Sequence, residues 1–223
     1  MIVLQTDHIN NKRITNHFAK GCNGKIINIK DYVFDIEDTV SSYGILRGTG
    51  NIFKKSNNFY YIDHGYLSAS KRSFNKDKTM FKDFDGYFRV VHNDLIGFKT
   101  NKKDKSRLEK LNIDFKKKRI EGEYIILSEP SAYMVKYFNL TNWVKTTIEE
   151  IQRYTDRKIF LHNKTSKIPL DLLLDKAWAF VSFQSTAGFK AMTSGVPAHF
   201  TYESLKNINS IELGYVFSYS SLI

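Results

Sequence analysis

The sequence predicts an α/β protein of two sheet-and-helix halves. Three observations predict it: short apolar runs alternate with stretches of helical spacing, the runs stop at polar residues or glycine, and a basic segment separates two stretches of the same order. The 223 residues suffice for one large or two small domains, since single cores stop growing near ~250 residues. With 42% hydrophobic and 14% aromatic residues and only 3 Pro, the composition is that of a folded globule, not of a disordered or fibrous chain.

Met1 to Thr6 reads as an apolar strand that ends in the polar loop Thr6-Asp7-His8. A helix follows near Asn11 to Lys20, then a short strand from Lys25 to Ile29. Val40 to Leu46 is the next strand, closed by the turn Arg47-Gly48-Thr49-Gly50. Phe59 to Ile62 is a buried strand that stops at Asp63-His64-Gly65-Tyr66.

The second half repeats the order. Tyr124 to Leu127 is a strand, Ser128-Glu129-Pro130-Ser131 its loop, and Thr141 to Tyr154 a helix with Thr141 or Asn142 as N-cap. Lys158 to Leu161 is a strand with His162-Asn163-Lys164 at its carboxyl end. Pro169 opens a short helix, Leu170 to Leu174, and Ala177 to Phe183 is a buried strand ending at Gln184-Ser185-Thr186. Ala187 to Thr193 is a helix ended by Gly195, before a strand through Val196 to Phe200. Three segments result: 1–119 with its basic stretch 99–119, then 120–200, then a C-terminal segment 201–223 that packs back on the first.

Charge and cysteine narrow the function. The chain carries 34 Lys+Arg against 23 Asp+Glu, a net +11. Between Lys99 and Arg119 ten basic residues face three acidic ones, a net +7, and such a segment attracts polyanions by phosphate neutralisation and counterion release. Arg89, Lys102, Lys103, Lys116, Lys117, Lys118 and Arg119 are the nucleic-acid-binding candidates, with Tyr87 and Phe88 placed to stack on bases. A solvated linker face explains the same charge equally well. The single cysteine, Cys22, excludes an internal disulfide and a cysteine zinc cluster, and the six histidines lack zinc-ligand spacing, so no metal site is expected. Phosphate-loop ATPase and serine-hydrolase motifs are missing. No apolar run approaches the ~18 residues of a membrane span or the pattern of a signal peptide, which points to a cytoplasmic protein without a transmembrane segment.

Open α/β sheets bind ligands beyond the carboxyl ends of their strands. In the second half those ends carry Ser128, Ser131, His162, Lys164, Gln184, Ser185 and Thr186, hydroxyls, an amide and a cation suited to a phosphate-bearing ligand. Hydroxyls before a helix are more often plain caps. In the first half they carry Thr6, Asp7, Arg47 and Gly48 as phosphate or acceptor contacts, and Asp63 and His64 as candidate bases.

The run Asp156 to Ile159, His162-Asn163-Lys164, Pro169-Leu170, Ser185 to Met192 and Gly195-Val196-Pro197 resembles the nucleotide-sugar half of GT-B glycosyltransferases, nearest to the capsule-polysaccharide and Kdo-transferase-like branch and short phage-encoded relatives. Tyr43 to Gly48 and Phe59 to Tyr66 are similar to the first half of such phage proteins. The resemblance implies two Rossmann-like halves facing a cleft, a nucleotide-sugar donor (a UDP-sugar or similar) held by the second half, and transfer to a hydroxyl acceptor. It departs from the pattern at Phe189-Lys190-Ala191, where many such enzymes carry a Glu near the ribose. Asp83-Phe84-Asp85 imitates the metal motif of GT-A transferases but reads as a hairpin turn. Joined to the basic stretch, the resemblance implies 5-hydroxymethylated pyrimidines of phage DNA as acceptor, in an infected bacterial host. A capsular or cell-surface glycan is the alternative acceptor, and a non-catalytic nucleic-acid-binding α/β module the alternative function.

Overall fold

The computed structural model describes residues 1–67, 72–74, 80–82, 87–96, 106–203 and 205. The chain divides into two compact units, Met1–Gly97 and Phe98–Ile223. Asp83 to Asp85, Lys102, Lys103 and nearly all of 201–223 lie outside the described residues.

In the first unit β1 (Ile2–Gln5), α1 (Ile9–Cys22), β2 (Lys25–Asn28), β3 (Thr39–Tyr43), α2 (Thr49–Phe53) and β4 (Asn58–His64) follow in order. β5 (Arg72–Phe74) and β6 (Met80–Lys82) form a separate antiparallel pair, and β7 (Phe88–His92) returns to the main sheet. That sheet has the order β2-β1-β3-β4-β7, parallel except that β7 runs antiparallel to β4. Val3, Leu4, Val40 and Ile62 are buried at its centre. α1 extends two residues beyond the expected span at each end. His8 caps its start, accepting from Asn10 N at 3.3 Å, and Asn23 ends it in the left-handed conformation.

The second unit contains α3 (Ser106–Lys110), β8 (Tyr124–Ser128), α4 (Ala132–Phe138), α5 (Trp143–Gln152), β9 (Lys158–His162), α6 (Leu170–Leu174), β10 (Ala177–Ser182), α7 (Ala187–Thr193) and β11 (Ala198–Phe200). Its sheet is wholly parallel in the order β11-β10-β8-β9. β8 is buried along its whole length, as expected for a central strand covered on both faces. On one face Trp143, Val144, Ile148 and Ile151 of α5, a stripe of helical period, pack against Ile125, Leu127, Ala179 and Val181.

The four parallel strands of each unit have one order. Numbered within its unit, each sheet reads 2-1-3-4, with the chain reversing direction across the sheet between the first and third strands. Such a switch opens a crevice at the strand carboxyl ends.

Three expectations are corrected. The strand expected to reach Leu46 stops at Tyr43, because Gly44, Arg47 and Gly48 take left-handed φ of 75°, 61° and 96° and turn the chain into α2, where only a turn was expected. Thr49 stitches that turn by donating from Oγ1 to Gly44 O and Leu46 O, both at 2.8 Å. The loop after β8 contains α4, with Ser131 as its N-cap accepting from Met134 N at 3.4 Å. The expected boundary at 119 falls inside the second unit, where Lys116 N donates to Thr193 O at 3.0 Å and Arg119 N to Gly195 O at 2.7 Å.

Candidate functional site

At the carboxyl edge of the second sheet, Ser128 and Ser182 are neighbours across β8 and β10 and are both buried. Two residues beyond β10, Gln184 donates weakly from Nε2 to Met134 Sδ at 3.8 Å, while its Oε1 is buried without a hydrogen-bond partner. An orphaned buried acceptor costs about 1–3 kcal/mol, so it marks a position held for something other than stability. Ser185 accepts from Ala187 N at 3.2 Å, the local capping role, whereas Thr186 makes no side-chain cap and is exposed.

On the other side of β8, Asn163 donates from Nδ2 to Glu129 Oε2 at 2.8 Å and accepts at Oδ1 from Thr165 N at 2.9 Å. This clamp holds the loops after β8 and β9 together. Lys164 lies in that turn, exposed, and His162 is half-buried at the end of β9. Sequence reasoning gave neither Glu129 nor Asn163 a role in the site: Glu129 read as a loop residue, and Asn163 stood only within the quoted run His162-Asn163-Lys164. Aromatic rings line the same edge: Phe138 meets Phe183 at 5.0 Å and Tyr202 at 5.4 Å, and Tyr133 stacks on Tyr137 at 6.2 Å. Burial pushes the Tyr137 phenol up to about 12.

In the first unit the candidate bases separate. Asp63 accepts at Oδ2 from Tyr61 Oη at 2.6 Å and Arg89 NH2 at 3.2 Å, and at Oδ1 from His64 N at 2.8 Å. These three donors, one of them cationic, occupy both carboxylate oxygens and leave Asp63 spent on its neighbours within the sheet. Asp63 holds the sheet together. His64, on the opposite face of β4, has Nε2 at 2.9 Å from Tyr43 Oη, and both rings pack on Phe88. Burial raises the Tyr43 phenol well above its ordinary value, so it stays neutral beside the imidazole. In the sequence Tyr43 reads as the interior of a strand reaching Leu46, without a functional role, and only the early end of β3 brings it to the strand's edge.

Arg89 is corrected. Expected on a nucleic-acid face, its side chain is 9% exposed and spent on Asp63, on His64 O at 2.5 Å and on the Tyr66 ring at 4.6 Å. Tyr87 likewise packs against Gly65 and accepts from Leu67 N at 3.1 Å. At the carboxyl end of β1, Thr6 is buried with Oγ1 unpartnered, and Thr6 N donates to Asn11 Oδ1 at 2.7 Å. Asp7 is held below the usual carboxylate range by Lys30 at 2.7 Å and Asn28 at 3.2 Å. Arg47 is exposed in the left-handed turn, and a Cβ on Gly48 would press on Ile29.

Arg119 is corrected as well. Its NH1 donates to the carbonyl oxygens of Leu174 at 2.8 Å, Asp175 at 2.5 Å and Ala177 at 3.2 Å, closing the end of α6. Lys116 and Lys117 remain exposed, without an ion-pair partner among the described residues. The strap they belong to lies where α7 ends and β10 begins, the amino edge of the sheet. A five-residue strand separates it from the carboxyl edge, about 16 Å at ~3.3 Å per residue. A shallow depression of about 170 Å³ opens beside the strap, lined by Lys116, Arg119, Asp171, Asp175 and Ser194. Among the described residues no helix is long and apolar enough to cross a membrane, and no three His, Cys, Asp or Glu side chains gather as a metal-holding group.

No protein-family model matches the chain, and no curated protein matches it in sequence.

Proposed function

We propose that the chain is a nucleotide-sugar-dependent glycosyltransferase of GT-B type, two Rossmann-like halves facing a cleft, with the donor bound at the carboxyl edge of the second sheet. One observation carries the reading. The carboxyl edge where the strand order reverses carries Ser128, Ser185 and a Gln184 whose buried Oε1 lacks a partner, an acceptor that a ligand N–H or O–H would satisfy. Lys164 adds a cation for phosphate, and the Glu129–Asn163 clamp keeps its loop beside the crevice. Glu129 also offers a carboxylate for a ribose hydroxyl, which Phe189-Lys190-Ala191 cannot supply: Phe189 and Ala191 are buried, and Lys190 pairs with Asp171 at 2.6 Å.

In this reading the base is His64. The acceptor oxygen bonds to the anomeric carbon as the bond from that carbon to the phosphate oxygen breaks. The acceptor proton passes to the imidazole, and the nucleotide leaves with the bonding pair. Tyr43 orients the ring. Exposed, unpaired Lys116 and Lys117 suit a polyanionic acceptor: hydroxymethylated DNA, contacted along the backbone and not at the reacting base, or, as the alternative, an anionic capsular or cell-surface glycan. The test is release of free nucleotide from a panel of sugar nucleotides, followed by ³¹P NMR. Slow release that His64→Ala suppresses supports the transferase, and no release from any donor in the presence of DNA or glycan acceptors refutes it.

A further inference from the structure

The connection from β2 to β3, residues 29–38, is ordered by its own bonds. Tyr32 Oη donates to Asp38 Oδ2 at 2.9 Å, Glu37 N to Asp35 Oδ1 at 3.0 Å and Asp38 N to Asp35 O at 3.3 Å. Fixed in this way, the loop turns apolar side chains to water: Val33 is 86% exposed, Ile36 41% and Phe34 39%. Asp35 stands between them and Asp31 and Glu37 flank them, with no cation in ion-pair range among the described residues, on a chain whose net charge is +11. A solvated loop does not need three adjacent apolar groups held in place; an ordered apolar knob within a charged ring is the anatomy of a docking surface.

The matching chemistry lies on the same chain. The strap Lys116 to Ile120 is pinned by its backbone to Thr193 and Gly195. It presents Lys116 and Lys117 without carboxylate partners among the described residues, and beside them Ile120, 82% exposed. The loop offers the carboxylates of Asp31, Asp35 and Glu37, and the strap the exposed ammonium groups of Lys116 and Lys117. We propose that the 29–38 loop of one copy docks on the 116–120 strap of a second copy, with Val33, Phe34 and Ile36 covering Ile120 and the carboxylates facing the ammonium groups. Both surfaces are preorganised, which lowers the ordering cost of association. The strap is also the surface proposed above for a polyanion, and the two uses compete.

Sedimentation velocity on the full chain from about 1 to about 200 µM, in the absence of DNA, tests this. We expect a concentration-dependent shift from monomer to a two-copy or larger species that weakens as salt rises. Asp31→Lys with Glu37→Lys spares the Asp35 bonds that shape the loop. This pair, and separately Lys116→Glu with Lys117→Glu, should each weaken self-association at least about tenfold, the scale of losing close interfacial charge pairs. Mixing the two reversed variants should restore a 1:1 complex. Phe34→Ser, a single exposed change, should weaken association without touching the charges. A wild type that stays monomeric throughout, association that neither reversal alters, or reversed variants that fail to pair with each other would each overturn the proposal. None of these outcomes depends on glycosyl transfer.

Discussion

Replacing Arg89 by Met keeps the aliphatic stem and removes every donor. His64 O loses a charged hydrogen bond worth about 1.5 kcal/mol, and the 3.5 Å contact with Leu95 O adds little. Asp63 loses its counter-ion, yet it is 29% exposed and keeps Tyr61 and His64 N, so water restores part of its solvation. The loss there is about 1–2 kcal/mol, below the 3–5 kcal/mol of a fully buried pair. Arg89 Nε is buried and unpartnered, and removing it returns up to about 1 kcal/mol. The net is about 2 kcal/mol, or roughly 8–16 °C in Tm for a unit of this size. Both tryptophans, Trp143 and Trp178, lie in the second unit, so their fluorescence reports that unit while far-UV circular dichroism reports both. Urea unfolding of Arg89→Met should move part of the dichroism transition to lower urea and leave the fluorescence midpoint in place. A dichroism transition that matches wild type, with DNA affinity reduced instead, would refute the buried role and restore Arg89 to a nucleic-acid face.

Three further outcomes are expected. Gly195 has φ of 80° and a Cβ there would collide with Lys117 O, so Gly195→Ala should cost more than about 1 kcal/mol and speed amide exchange at Lys116 and Arg119, whose N–H groups anchor the strap. Tyr137 has its phenol raised to about 12 from 10.0, and Tyr43 and Tyr61 are raised as well. The folded state therefore binds protons more tightly than the unfolded state above pH ~10: the contribution is complete below that pH and lost on rising through about 12, visible as delayed phenolate absorbance and falling alkaline stability. Gln184→Leu removes an orphaned acceptor and should raise stability by about 1 kcal/mol in thermal unfolding.

The eight parallel strands were legible because each is a short apolar run closed by polar residues, whereas Arg72–Phe74, Met80–Lys82 and Phe88–His92 were not expected as strands; Ala187–Thr193 and Leu170–Leu174 were expected at the spans observed. α4 was hidden because Pro130 and two serines look like loop chemistry, although Ser131 is a cap, and α2 because two glycines look like a turn. Ser128 and His162 end their strands and Gln184 follows one, as the sequence put them, whereas Arg47 and Gly48 lie beyond an earlier strand end and Asp63 and His64 within β4. Their partners did not show, because the pairing of Asp63 with Arg89 is set by the antiparallel register of β4 and β7, and that of Asn163 with Glu129 by the parallel neighbours β8 and β9. Charge misled for a related reason. A run of lysines and arginines says nothing of which heads are consumed by backbone carbonyls, as that of Arg119 is.

Isothermal titration of sugar nucleotides into wild type and Gln184→Leu, both checked for folding, tests the donor site most directly. The account predicts saturable binding of at least one sugar nucleotide by wild type, weakened at least about tenfold in the variant, since a polar ligand group then meets a methyl. Absence of binding by wild type across the panel, or equal affinity in the two proteins, would contradict it.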